Sequence, residues 1–157
     1  EAMAAAPAMA RMAIEAAQRG ESALLAERLQ STGTLTIEDV AQASRTGDVA
    51  ANAIIQRAGS LVGQMLASIV NFFNPSHVFI AGRVTDMGPL FLASVRQSVY
   101  HRSLALSTRH LEIQYAPLAD DAGVVGAGVL AMQESLSRAG SISGSGSAAG
   151  VGVGAAR

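Results

Sequence analysis

The sequence predicts an α/β fold, helix-rich with a partial sheet, and three observations predict it. Downstream of residue 48, helical and strand periods alternate in the order helix, strand, helix, strand, helix. Hydrophobic residues make up 50 % of the 157 residues and charged residues 15 %, enough apolar material for a core. Aromatic residues are only 4 % and Trp is absent, so that core is built from Ala, Val, Leu, Ile and Met.

Residues 2 to 18 are rich in Ala and Met, which favour helix, and Pro7 sits where a first helical turn tolerates it. A second short helix is predicted from Ser22 to Gln30, broken by Ser31-Thr32-Gly33-Thr34. Thr36 precedes a third, from Ile37 to about Ser44, which Thr46-Gly47-Asp48 ends. Asp48 then serves as N-cap to the longest helix. Ile54, Ala58, Leu61, Met65 and Ile69 recur there at helical spacing, flanked by Ile55, Val62, Leu66, Val70 and Phe73. That is a wide apolar face, expected to be mostly buried, and Asn74-Pro75 stops it.

The short apolar run His77 to Ala81 reads as a buried strand, with a turn at Gly82. Gly88-Pro89 opens a helix with Leu92, Val95 and Val99 on one face, and Leu111 to Ala116 alternates as a second strand. Asp120-Asp121 is expected to cap a last helix on which Val125, Val129, Met132 and Leu136 share a face. Two strands are too few for a self-sufficient sheet, so further strands are expected upstream in a parent protein. After Ala139 the composition becomes Gly, Ser and Ala. The organisation read from the sequence is one folded lobe portion over residues 1–139 and a flexible tail over 140–157.

Several functions are disfavoured. A net charge of −1 argues against a direct nucleic-acid surface, so any DNA contact belongs to a domain other than these residues. The absence of cysteine excludes disulfides, thiol catalysis and Cys-ligated zinc within the chain, and fits a cytoplasmic protein. The longest apolar stretch, Leu61 to Phe73, falls short of the about 20 residues a bilayer span needs, and no membrane partner is expected. The start, Glu1-Ala2-Met3-Ala4, carries no basic leader and reads as mid-protein. His77, His101 and His110 lack metal-like spacing with carboxylates, so no metal ligand is assigned.

Two segments invite a chemical reading. Val78-Phe79-Ile80 runs into Ala81-Gly82-Arg83, a strand ending in a small-residue turn of the kind that lets a ligand approach the backbone. Gly123, Gly126 and Gly128 fall in the first turns of the last helix, where each costs about 1 kcal/mol against Ala. Either close packing on a sheet or room for a phosphate at the helix N-terminus would account for them.

Taken together, Asn71-Phe72-Phe73-Asn74-Pro75, the strand Val78-Phe79-Ile80, the turn Ala81-Gly82-Arg83 and Gly123-Val124-Val125-Gly126-Ala127-Gly128 resemble the ROK family (repressor, open reading frame, kinase) in order and spacing. The opening Glu1 to Met9 is similar to the segment that follows that family's Cys-rich zinc motif, and the likeness extends to about residue 138. The resemblance implies the C-terminal lobe portion of an actin-like ATPase (ribonuclease H-like) fold, a sugar in the cleft between lobes, and dimers or tetramers. It implies that Glu1 accepts hydrogen bonds from sugar hydroxyls, as a carboxylate can. From the residues alone Glu1 is equally a helix N-terminal carboxylate favoured by the dipole. Structural zinc would lie upstream.

The nucleotide turn departs from the family pattern. Three glycines are usual there, and this chain has Ala81, Gly82 and Arg83, which with Gly123 and Gly126 form a vestigial or possible nucleotide-binding set. The segment from Val99-Tyr100-His101-Arg102 to Arg109 is similar to ROK regulators whose chains begin with a winged helix. The expectation is therefore the sugar- or sugar-phosphate-binding and oligomerisation part of a transcriptional regulator. The alternative is part of an ATP-dependent sugar kinase using ATP and Mg²⁺. Under either reading no catalytic residue is assigned here, because the family's catalytic carboxylate and phosphate-binding turn both lie upstream.

Overall fold

The computed structural model describes residues 6–117 and 122–143. It divides into two units, residues 1–119 and 120–157. The first holds α1 (Ala6–Gln18), α2 (Ala23–Thr32), α3 (Ile37–Arg45), α4 (Val49–Phe73), β1 (His77–Ile80), a 3₁₀ segment (Arg83–Met87), α5 (Gly88–Arg102), α6 (Ala105–Thr108) and β2 (Glu112–Tyr115). The second holds α7 (Ala122–Ser143).

Three helix starts in the first unit, those of α2, α3 and α4, have a local side-chain cause. Ser22 caps α2 by accepting from the Leu25 N–H, and Gly33 ends it in the left-handed conformation at φ 74°. Thr36 and Asp39 form a reciprocal capping box at α3. Asp48 accepts from the Ala51 N–H at the start of α4, as its position in the sequence predicts. Asn74 closes α4 with φ 48°, a conformation Asn tolerates, and Pro75 prevents continuation.

The core gathers Met9 and Ala13 of α1, Leu25, Val40, Ile55 and Ala58, and Phe91, Val95 and Val99 of α5. The closest helix packing is between α4 and α5. A methyl group added at Gly59 would lie 2.7 Å from Ser94 Cβ, and one at Gly63 2.6 Å from Ser98 Cβ. The two helices therefore run in the same sense, as the alternation of α4, β1 and α5 allows when the strand returns between them. Small residues at both contacts let the backbones approach. The buried face of α5 is Phe91, Ser94, Val95, Ser98 and Val99, whereas Leu92, expected on that face, is only partly buried.

β1 and β2 pair in parallel, with His77 opposite Glu112 and Ile80 opposite Tyr115. Three expectations need correction. β1 is not buried on both faces: Val78 and Ile80 are partly covered while His77 and Phe79 are exposed, because within this unit helices cover one side of a two-stranded sheet. The face of α4 is not mostly buried either. Met65, Ile69, Phe72 and Phe73 are exposed, because α4 is apolar around much of its circumference and its described neighbours cover only part of it. Finally, α4 as a whole, unlike the stretch from Leu61, is long and apolar enough to cross a membrane, with mean hydropathy 1.3. Its buried Ala51, Ile54, Ile55, Ala58 and Val70 make it the central helix of a packed core.

In the second unit, α7 continues to Ser143, past Ala139 where the composition changes. The helix thus includes the first residues assigned to the tail. The Asp120-Asp121 cap and residues 144–157 lie outside the described residues. Val125, Val129 and Met132, which recur at helical spacing, are exposed.

Candidate functional site

Because the strands are parallel, their carboxyl ends lie side by side, joined by the Ala116 N–H donating to the Ile80 carbonyl at 2.8 Å. The carboxyl edge of such a sheet is where α/β proteins present backbone to ligands. The chain leaves β1 there through Ala81, Gly82 and Arg83. Gly82 adopts φ 86°, ψ −170°, a conformation costly for any residue with a Cβ. A methyl group at Gly82 would meet no atom within 4 Å, so the backbone conformation, and not crowding, demands the glycine. Ala81 is exposed.

Beyond Gly82 the turn is held on both sides. The Thr85 N–H and hydroxyl both donate to the Gly82 carbonyl, at 3.0 and 2.9 Å. Met87 is buried in the core. Two arginine links tie the segment to α3. The Arg83 guanidinium bonds the Glu38 carboxylate, and Arg45 Nη1 donates to the Asp86 carbonyl at 3.3 Å. The Arg83 hydrogen bond holds the Glu38 carboxyl below its usual range, helped by its own backbone N–H and the Thr36 hydroxyl. Glu38 in turn raises Arg83. Arg83 is thus turned toward α3 with its charge already matched, rather than left as a free cation.

Beside this link, α2 and α3 enclose a hollow of about 590 Å³ lined by Leu24, Arg28, Glu38, Asp39, Gln42 and Arg45 among others. Its two carboxylates are both engaged, Glu38 by Arg83 and Asp39 by Arg28 at 2.8 Å. At the end of β2, the Tyr115 hydroxyl donates to the Gly88 carbonyl at 2.6 Å, and burial raises its pKa.

The candidate residues are distributed as follows. Ala81, Gly82 and Arg83 form one turn in the first unit. Gly123 and Gly126 lie in the first turns of α7 in the second unit, exposed, and a methyl group on either meets no atom within 4 Å among the described residues. Glu1 lies outside the described residues. Sequence reasoning missed Glu38 and Arg45. The Thr36-x-x-Asp39 pattern puts Glu38 in a helical first turn, but no local pattern connects it to Arg83, 45 residues on.

The pattern of the ROK family matches residues 4–134. The chain belongs to the ROK family. Its ROK relatives include both kinases and repressors. It is 30 % identical over 137 residues to a glucokinase of Halalkalibacterium halodurans, covering 87 % of this chain and 42 % of the relative. It is 36 % identical over 101 residues to a putative xylose repressor of Caldicellulosiruptor, 64 % of this chain and 24 % of the relative. Over 96 residues it is 26 % identical to the transcriptional repressor Mlc of Escherichia coli, 61 % of this chain and 24 % of the relative. This ROK chain thus spans less than half the length of these relatives.

Solved structures agree. The crystal structure of a ROK transcriptional regulator homologous to the E. coli MLC protein superposes with TM-score 0.64 at 25 % identity, over 71 % of this chain and 27 % of that one. A putative sugar kinase from Cytophaga hutchinsonii superposes with TM-score 0.68 at 21 % identity, over 81 % and 42 %, and speaks to fold alone. The fold is a portion of the actin-like ATPase fold shared by ROK kinases and regulators. ROK membership leaves both repressor and kinase relatives in view.

Proposed function

We propose that this chain is the effector-binding and oligomerisation part of a ROK-family transcriptional regulator. The observation that carries the reading is the turn after β1. A nucleotide needs bare backbone there, and this chain supplies a methyl group at Ala81 and commits Arg83 to Glu38. Repressors among the relatives support it, as does the regulator whose structure superposes.

The effector in this reading is a sugar or sugar phosphate, with Glu1 accepting from its hydroxyls. Binding would shift the equilibrium between two arrangements of the parent protein's lobes and so change DNA affinity through a domain other than these residues. The protein would act in the cytoplasm as a dimer or tetramer. No cofactor is assigned to these residues; structural zinc would be held upstream, and Gly123 and Gly126 would be remnants of a nucleotide site.

A second reading, part of an ATP-dependent sugar kinase, is favoured by the glucokinase relative that aligns over 87 % of the chain. One experiment separates the two: titrate the full-length parent with a panel of sugars and sugar phosphates while measuring operator binding and ADP release in parallel. The regulator reading expects a sugar-dependent change in DNA binding without ATP consumption. Sugar-dependent ADP release without DNA binding would overturn it in favour of the kinase.

A further inference from the structure

The contact that brings α4 and α5 together opens a groove on their outer side. Its volume is about 730 Å³; Ser60, Ser94 and Ser98 form its floor, and Arg57, His101 and Arg102 stand among its walls. No carboxylate lines it. The floor is narrow because Gly59 and Gly63 draw the helices close, and it is already satisfied: Ser98 donates to the Ser60 carbonyl and Ser94 to the Leu90 carbonyl.

The arginines on this groove are without a side-chain partner among the described residues, a state they share with Arg11 and Arg109. Arg19, Arg28 and Arg83 are ion-paired, while Arg45 and Arg96 donate to carbonyl oxygens. Arg57 and Arg102 have no such side-chain partner among the described residues, although Arg57 also borders a second hollow containing Glu15 and Glu21. Those two carboxylates are both engaged by Arg19. His101 and Arg102 suit the last turn of α5, where cations complement the helix dipole. Arg57 lies in the body of α4, away from either helix end, and is exposed.

Gly59 lies against Ser94 and Gly63 against Ser98, so Arg57 is level with about residue 92 of α5. The rise of an α-helix then separates Arg57 from Arg102 by roughly 15 Å along the groove. That is too far for one small anion and matches about three turns of a third helix, which a floor of Ser and Ala side chains lets approach closely.

We propose that the α4–α5 groove is a docking surface for an acidic α-helix of a protein partner, whose carboxylates about three turns apart pair with Arg57 at one end and Arg102 at the other. Cationic and neutral walls without a carboxylate select an acidic occupant, and the chain's net charge of −1 disfavours nucleic acid. The proposal is independent of whether the parent is a regulator or a kinase.

The test uses the full-length parent and a fluorescein-labelled helical peptide with glutamates about eleven residues (three turns) apart on one face, followed by anisotropy. A matched peptide with those glutamates replaced by glutamine is the control. Expected is salt-sensitive binding of the acidic peptide, at least tenfold weaker for the control, and at least tenfold weaker binding by R57E and by R102E, with unchanged melting temperature for each variant. Equal binding of both peptides, or binding unaffected by R57E and R102E, would overturn the proposal. So would displacement of the peptide by random-sequence duplex DNA whose own binding depends on the same arginines. Self-association of the parent that R57E abolishes, with no peptide binding, would assign the groove to a second copy instead.

Discussion

The Ser22 hydroxyl donates a 2.7 Å hydrogen bond to Asp48 Oδ2, and each of these residues also caps a helix. Ser22 Oγ accepts from the Leu25 N–H while Asp48 Oδ1 accepts from the Ala51 N–H, at 3.0 and 2.9 Å. One part-buried contact thus links the N-caps of α2 and α4 and holds their starts together. Ser22→Ala and Asp48→Ala should each destabilise the chain by about 1 kcal/mol or somewhat more. Their effects should fall short of additivity by roughly 0.5–1 kcal/mol in a double-mutant cycle by urea denaturation. Strict additivity would mean that the two caps act independently.

Gly63 and Gly126 should respond to alanine in opposite directions. At Gly63 the new methyl group would lie 2.6 Å from Ser98 Cβ and 2.7 Å from the Val95 carbonyl oxygen, and backbone cannot step aside cheaply. Overpacking of this kind costs about 1–3 kcal/mol, more than the about 1 kcal/mol that helix propensity returns. At Gly126 nothing lies within 4 Å, so Gly126→Ala should gain helix content, visible by circular dichroism. A stabilised Gly63→Ala variant would show that the α4–α5 packing is looser than described.

Asp39 gives the chain an acid-sensitive element. Burial raises its pKa, but hydrogen bonds from the Thr36 N–H, the Arg28 guanidinium and the Thr36 hydroxyl outweigh burial, and the net shift is downward. A carboxyl with a lowered folded-state pKa contributes stability that is complete above the ordinary aspartate range, about pH 4, and is lost as pH falls through the lowered value. Asp39→Asn should lose about 1 kcal/mol at neutral pH and show a shallower decline in acid, measured as midpoint against pH.

Tyr115 acts at the other end of the scale. Its phenol is raised by burial and donates to the Gly88 carbonyl at 2.6 Å. An acid with a raised folded-state pKa contributes stability that is present below the ordinary tyrosine value, about 10, and is lost as pH rises through the raised one. Tyr115→Phe should lose about 1 kcal/mol at neutral pH and part of the alkaline destabilisation with it.

Arg83 and Glu38 are both exposed at the surface, so their pair should matter locally more than globally. Glu38→Gln should leave the melting temperature nearly unchanged while speeding amide exchange across residues 83–87. High salt should produce the same acceleration in the unaltered chain. Exchange that is insensitive to both would leave Arg45 and Met87 as the restraints on the turn.

Much of the fold is local physics and was legible residue by residue. Ser22, Thr36 and Asp48 announce helix starts because a short polar side chain can satisfy a free N–H in the first turn. Asn74-Pro75 announces a stop because Pro cannot follow a helical residue comfortably. The order and spacing of the glycine turns and the Asn-Pro junction were also enough to indicate ROK membership. The candidate turn at Ala81-Gly82-Arg83 was visible because it follows a short apolar run. Its partner Glu38 was not, because a surface ion pair across 45 residues leaves no periodic trace.

What the sequence determined by itself is therefore the succession of the main helices and strands, the capped starts of α2, α3 and α4, the stop at Asn74-Pro75 and the family, since each rests on backbone conformation and hydrogen bonding over a few neighbouring residues. Only the tertiary structure decided which faces are covered. The apolar circumference of α4 does not say which side meets α5; the approach at Gly59 and Gly63, where the absence of Cβ lets another backbone come near, does. It also decided that Arg83 turns to α3 and that Arg57 and Arg102 share a groove. Such pairings depend on distances that chain separation does not encode.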